Sequence, residues 1–352
     1  MAEPAPGGVK LRAADRVALP VATARRAAIG ILVERGCRAD EAAEVADHLI
    51  EADRMGVESH GLVRVLQYAR EYETGLLTPA APIDCTRDGP SRLRVEAHGG
   101  IGIRAMRVAV ARATRDAGAH GLALATLTGA GHTGRLGAFA EAAARAGCMT
   151  IALGGGDRTR WRMVAPHGGT QALLPTNPYC IGLPGGDRGP VILDLATSML
   201  AGGWIYAARA AGVALPAGAV IDRHGAPTDD PEAYFAGGAI LPKGGAMGYG
   251  LALVAELVGE AMLGPVRRGE INWMILAVDC RNFRAPDAMQ AAAEAILAEI
   301  RACPPAADVA RVEVPGERER DRAADADPGL VHLPRPIWAR IAALAGSGEG
   351  QR

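Results

Sequence analysis

Aromatic residues are scarce: three Phe, four Trp and six Tyr make up 4% of 352 residues. Glycine and alanine are abundant instead, and helices built from small residues can pack at close range. Charge of one sign is also lacking. The formal net charge is −1, which leaves no basic footprint for nucleic acid. No run of about 18 apolar residues occurs, so no membrane span is expected. The opening stretch MAEPAPGGVKLRAADRV has none of the apolar core of a signal peptide. The six cysteines, Cys37, Cys85, Cys148, Cys180, Cys280 and Cys303, form no CxxC or similar pair. That speaks against a zinc site or a disulfide framework and for reduced thiols in the cytoplasm. What remains is a chain that is 49% hydrophobic and of a length typical of enzymes.

Residues 1–15 read as a flexible tail and 16–85 as a helical N-terminal part. From 86 to 315, strands such as MTIALGGG and VILDLA alternate with helical stretches such as RLGAFAEAAARAG, the pattern of an α/β core. GYGLALVAELVGEAML reads as a buried apolar helix. Residues 316–352 read as an exposed charged connection followed by a short final helix.

ESHGLVRVLQYAREYETG, residues 58–75, reads as a helix capped by Ser59. His60, Arg64, Tyr68 and Glu71 then share one stripe, while Leu62, Val65, Leu66 and Ala69 fill the opposite one. The polar stripe is either a solvated face or the wall of a cleft, and His and Tyr suit the wall better. TGAGHTGRLGAF at 128–139 places His132 in a glycine-rich loop between a strand and a helix. Ligands of α/β sheets collect at such strand ends, and a nearby helix N-terminus lowers a histidine's pKa. Thr176 and Asn177 in TNPYCIGLP either contact a ligand or cap a turn. Asp194 ends an apolar strand, either capping Ala196 or Thr197 or orienting a catalytic group. PKGGAMGYG at 242–250 is either a phosphate cradle or a tight turn, without the ending of a P-loop. GGIGIRA at 99–105 fits a Rossmann fingerprint weakly, since no acidic residue ends the following strand.

Taken in order, SHGLVRVLQY, GHTGRLGAFAEAAARAG, VAPHGGTQALLPTNPYCIGLP, ILDLATS, VIDRHGAPTDDP, GYGLALVAELV and VPGERER resemble the type 2 malate/L-lactate dehydrogenase family. The resemblance implies a non-Rossmann dinucleotide-binding α/β core, a nicotinamide cofactor (NADPH or NADH), a small carboxylate substrate and a homodimer. It implies that Ser59, His60 and Arg64 line the active site and that His132 exchanges the proton. Arg64 would hold the substrate carboxylate, with Tyr68 beside it and Asp194 orienting a neighbour. Cofactor contacts would fall on Asp194, Leu195, Ala196, Gly316 and Glu317. The sequence departs from the family where a cofactor-contacting lysine is replaced by Met247 and a serine by Gly156. Gly203-Trp204 stands where the family has Gly-Lys, and the loop after Gly264 is short. Lys243 and the arginines of DRTRWR, Arg158, Arg160 and Arg162, would be substitute cations suited to the 2′-phosphate of NADPH. These departures keep a second reading open: a cofactor-free lyase, isomerase or cyclase on the same scaffold, in specialised biosynthesis.

Overall fold

The computed structural model describes residues 15–346; the expected tail and the last residues of the final segment lie outside the described residues. β1 (Arg16–Pro20) leads into α1 (Val21–Glu34), α2 (Ala39–Arg54), a 3-10 turn at Glu58–His60 and α3 (Val63–Glu73). α2 has Asp40 and Glu41 in its first turn and Arg54 in its last, which complements the helix dipole. Then come β2 (Asp84–Arg87), β3 (Arg92–Glu96), α4 (Gly102–His120), β4 (Leu122–Ala130), α5 (Leu136–Arg145), β5 (Cys148–Gly156), β6 (Pro178–Gly186) and β7 (Gly189–Ala196). A smaller region holds α6 (Gly202–Ala211), β8 (Val220–Ile221), β9 (Pro227–Thr228), α7 (Pro231–Phe235), β10 (Ala239–Ile240) and α8 (Ala246–Glu256), which runs on as a π-helical turn, Leu257–Met262. β11 (Ile271–Asp279), α9 (Pro286–Ala302), α10 (Glu317–Asp325), β12 (Leu330–Pro334) and α11 (Arg335–Gly346) complete the chain.

The main sheet has seven strands in the order β2-β3-β4-β11-β5-β6-β7. Only β3 and β4 pair in parallel; β11 is antiparallel to both β4 and β5. A Rossmann sheet is parallel throughout its core, so the glycines of 99–105 serve another purpose. There α4 starts against the 131–133 loop, and a Cβ on Gly102 would run into Thr133. Alternating residues of β4 (Ala123, Ala125, Leu127) and β11 (Trp273, Ile275, Ala277) are buried, as period-2 patterning requires. α4 supplies Ala105, Ala109 and Ala113 to the same core, so small residues let it lie close to the strands.

Two expectations are corrected. The charged stretch 316–330 is not a mere exposed connection: it forms α10, whose Glu317 is buried, and β12 then pairs with β1, which joins the first and last strands of the described residues. The apolar helix expected to be buried, α8 with its π-helical extension, instead exposes Met247, Leu251, Leu253, Val254, Leu257 and Met262. Apolarity signals that a surface needs cover but does not say that this chain provides it.

Candidate active site

The turn carrying Ser59 and His60 is fixed from α2. Asp53, buried near the end of that helix, accepts a hydrogen bond from Leu62 N at 2.7 Å. Its carboxylate lies where a Cβ on residue 61 would be, so the Ser-His-Gly stretch requires its glycine. Ser59 is therefore not the cap of a helix as expected. The backbone is a 3-10 turn through His60, α3 begins only at Val63, and the acceptor at its start is Asp53. Ser59 Oγ is left to pair with His60 Nδ1 at 2.9 Å.

α3 carries Arg64 and Tyr68. Tyr68 is 0% exposed, so both stripes of this helix face inward, one to the core and one to the site. Tyr68 Oη lies 2.7 Å from His132 Nδ1. Gly134 N donates to the same nitrogen at 3.3 Å. A backbone N–H can only donate, so Nδ1 is the acceptor, Tyr68 donates to it, and the neutral ring carries its proton on Nε2. The His60 ring stacks on His132 with centroids 5.3 Å apart. The His132 loop is held in turn by His48 of α2, whose Nε2 accepts from Arg135 N at 2.9 Å and whose ring stacks on Phe139.

Electrostatics keep these rings neutral. Burial, reinforced by the Arg64 charge, pushes His60 down to about 3 and His132 well below its ordinary value. Burial pushes the Tyr68 phenol up. Arg64 donates Nε to Ser59 O at 2.6 Å and also bonds the Gln67 side chain. Among the described residues no carboxylate forms an ion pair with it, and burial depresses its pKa. Glu71, two turns on, is already engaged by Arg160 at 2.9 Å and by Gln67 at 3.1 Å. A half-buried guanidinium without a counter-ion, beside two neutral imidazoles, favours an anionic ligand.

The sequence profile described as malate/L-lactate dehydrogenase matches residues 19–342. The chain belongs to that family. It is 32% identical over 342 residues to the L-lactate dehydrogenase of Cupriavidus necator, covering 94% of this chain and 97% of the relative. It is 32% identical over 243 residues to a Δ1-pyrroline-2-carboxylate/Δ1-piperideine-2-carboxylate reductase of Pseudomonas syringae pv. tomato, covering 69% and 70%. Among solved structures, a dehydrogenase from Sinorhizobium meliloti superposes with a TM-score of 0.81 at 33% identity over 94% of this chain and 98% of that one. These relatives are dehydrogenases and reductases, which gives no support to the lyase, isomerase or cyclase reading.

In this malate/L-lactate dehydrogenase family chain, the residues expected on the cofactor side divide into two groups. Asp194 is exposed at the end of β7 and accepts from Gly137 N at 2.7 Å. It thus caps α5 rather than the residues that follow it. Leu195 and Ala196 are half-buried beside it. Thr197 O accepts from Lys243 N at 2.8 Å, which joins this strand end to the Gly244–Gly245 turn before α8. Both glycines have φ of +60°, and exposed Ala246 and Met247 follow. The result is a surface that runs from the His132 loop over the start of α5 to Asp194, Lys243 and the start of α8. An acceptor carboxylate, helix-start amides and an exposed lysine suit the hydroxyls and phosphates of a dinucleotide.

The other expected residues are engaged within the fold. Gly156 faces Trp161, whose ring lies 2.9 Å from where a Cβ would sit; the indole fills the space of the family's serine. The Asn177 side chain points into the core and donates to Glu256 at 2.7 Å. The Thr176 carbonyl accepts from Thr197. The Glu317 carboxylate is buried against Arg301 at 2.8 Å, and Gly316 is a left-handed helix cap packed near Ile192. Of the substitute cations, Arg158 is taken by Glu260 at 2.5 Å and Arg160 by Glu71. Lys243 and Arg162 are exposed and form no ion pair among the described residues.

Sequence reasoning missed Asp53, His48 and Gln67. The first two carried a legible signal: both are polar residues in the stripe of α2 that also contains Leu49 and Ala52. It also missed Asn272, a lone amide in an apolar strand. Asn272 is buried, accepts from Gly129 N at 3.2 Å, and donates to Gly259 O at 3.0 Å and Gly264 O at 3.1 Å. It thereby ties the end of β4 to both ends of the short segment 259–264.

Proposed function

We propose that the protein is a nicotinamide-dependent oxidoreductase that reduces a 2-oxo acid or a cyclic 2-imino acid, or runs the reverse oxidation. The observation that carries this reading is the His132 ring, held by Tyr68 with its proton on Nε2 and set beside an Arg64 that forms no ion pair among the described residues. Arg64 binds the substrate carboxylate through its remaining N–H groups, which fixes the orientation of the neighbouring carbon. When bound, the reduced nicotinamide supplies the hydride. His132 gives its Nε2 proton to the substrate oxygen or nitrogen as charge develops there. The Tyr68 proton follows onto Nδ1, so the ring stays neutral; once product has left, a solvent proton taken up at Nε2 sends the Nδ1 proton back to the phenolate. An alkoxide is a stronger base than a phenolate, so the relay runs downhill. His60, stacked on His132 and oriented by Ser59, excludes water from the proton path. Asp194 and the backbone of Leu195 and Ala196 take ribose hydroxyls, while Lys243 and the α8 start take phosphate; NADPH and NADH are both candidates.

Initial rates of NADH and NADPH oxidation with a panel of 2-oxo acids and cyclic imino acids test this. Turnover is expected only for substrates that keep the carboxylate. Equal turnover of analogues without it contradicts the role of Arg64, and no turnover by protein that binds cofactor contradicts the reaction class.

The exposed stripe of Leu251, Val254 and Leu257 on α8 and its π-helical extension supports a homodimer formed through that face. Sedimentation showing a dimer that Leu251→Glu splits is the expected result; a wild-type monomer at micromolar concentration contradicts it. The six unpaired cysteines suit a cytoplasmic location.

A further inference from the structure

Two buried polar side chains on α2 take no part in the chemistry above, yet each holds one arm of the site. His48 is 2% exposed and accepts from Arg135 N on the His132 loop. Asp53 is 8% exposed and accepts from Leu62 N on the His60 turn. At both places the opposing segment offers a glycine. A Cβ on Gly134 would overlap the His48 ring, and one on Gly61 would overlap the Asp53 carboxylate.

We propose that α2 acts as a gauge for the active site, with His48 and Asp53 as positioning residues that set the separation and facing of His132 and His60. The proposal rests on the reading of His132 as the proton donor. The two segments meet nowhere through a direct hydrogen bond between His60 and His132; the rings only stack. Stacking tolerates sliding, whereas a buried hydrogen bond to a backbone N–H fixes a position to within a few tenths of an ångström. Anchoring both segments to one rigid helix makes their spacing a property of that helix. A displacement of about 1 Å in a reacting group can cost about 10² in rate. His48 is suited to this because burial holds its pKa down to about 3, so its Nε2 remains an acceptor throughout the neutral range.

The two anchors should differ in their kinetic signatures. Among the described residues His48 makes its one hydrogen bond to the His132 loop, and its ring otherwise packs on Phe139, so His48→Leu should lower kcat about 10- to 100-fold and leave KM and cofactor affinity within about threefold. Asp53 also fixes the turn whose Ser59 carbonyl holds Arg64, so Asp53→Ala should lower kcat and raise KM together. His48→Gln puts an acceptor oxygen in place of Nε2 and Asp53→Asn keeps one, so each should recover kcat to within about threefold of wild type. His132→Gln serves as the control for the underlying reading. If His132→Gln is inactive while folded His48→Leu turns over at the wild-type rate, the gauge is wrong and the proton donor stands. If His132→Gln itself keeps full turnover, the underlying reading fails. Should the Leu and Ala variants not fold, ¹⁵N NMR of the wild-type histidine rings decides. His48 should be neutral with its proton on Nδ1 at neutral pH, and a proton on its Nε2 overturns the proposal.

Discussion

Replacing Tyr68 with phenylalanine removes a single oxygen from a ring that is 0% exposed. The packing of the ring is kept and no cavity of consequence opens. The 2.7 Å bond to His132 Nδ1 disappears, and only the 3.3 Å contact from Gly134 N remains on that nitrogen. The loss to folding is that of one buried neutral hydrogen bond, about 1 kcal/mol, or about one to two degrees in Tm for a chain of this size. The loss to catalysis should be larger. If Tyr68 only oriented the ring, a weakened hydrogen bond would slow the reaction roughly five- to tenfold. If its proton follows onto Nδ1 while Nε2–H leaves, the step loses its second proton source, a general acid–base effect of about 10²–10⁴. Steady-state kcat for reduction, measured beside a thermal melt and a cofactor titration, separates the cases. A Tyr68→Phe enzyme that binds cofactor normally and keeps kcat within about tenfold of wild type refutes the relay.

Arg64→Lys keeps the charge but loses the planar fork, so KM for a carboxylate substrate should rise about tenfold or more, with a smaller effect on cofactor affinity; an unchanged KM places the carboxylate elsewhere. Stability should fall steeply in acid. An imidazole that is buried neutral binds protons less readily folded than unfolded, so its contribution is complete above the unfolded pKa of about 6.5 and is lost as pH drops below that value, down to the folded value of about 3 for His48 and His60. Each such histidine adds about 1.4 kcal/mol per pH unit to the slope in that window, and denaturant unfolding between pH 6 and 4 that shows no slope contradicts their buried neutral state. Met247 is 68% exposed, so Met247→Lys carries no packing penalty and should leave dinucleotide affinity unchanged or tighten it up to about tenfold; a weaker titration shows that α8 does not face the phosphates.

The α/β core was legible because its signals are local. Short, nearly continuous apolar runs such as MTIALGGG and INWMILAVD read as buried strands, and glycine turns mark strand ends. The His60–Tyr68–His132 grouping was legible in part, since helical spacing aligns Arg64 with Tyr68. The partner that gives the spacing its meaning, His132, is 64 residues away from Tyr68. The residues that brace the site were hidden for the same reason: His48 reaches across 87 residues to Arg135, and no local pattern announces such a contact. The early helix start at Ser59 failed through competition, because Asp53 took the capping role that a serine ordinarily fills. The Gly156 departure looked like the loss of a contact, and the structure shows a replacement by Trp161, which sequence spacing does not reveal. α8 was misread because apolar content measures the need for cover and not its source.

Isotope transfer tests the account most directly. NADPH or NADH deuterated at the transferable position of the nicotinamide would be supplied with an accepted 2-oxo or imino acid, to wild type and to His132→Gln. The account predicts one deuterium on the carbon next to the product carboxylate in wild type, and a His132→Gln protein that binds the cofactor but forms labelled product at least 10²-fold more slowly. Product that carries no label, or a His132→Gln protein that transfers deuterium at the wild-type rate, contradicts it.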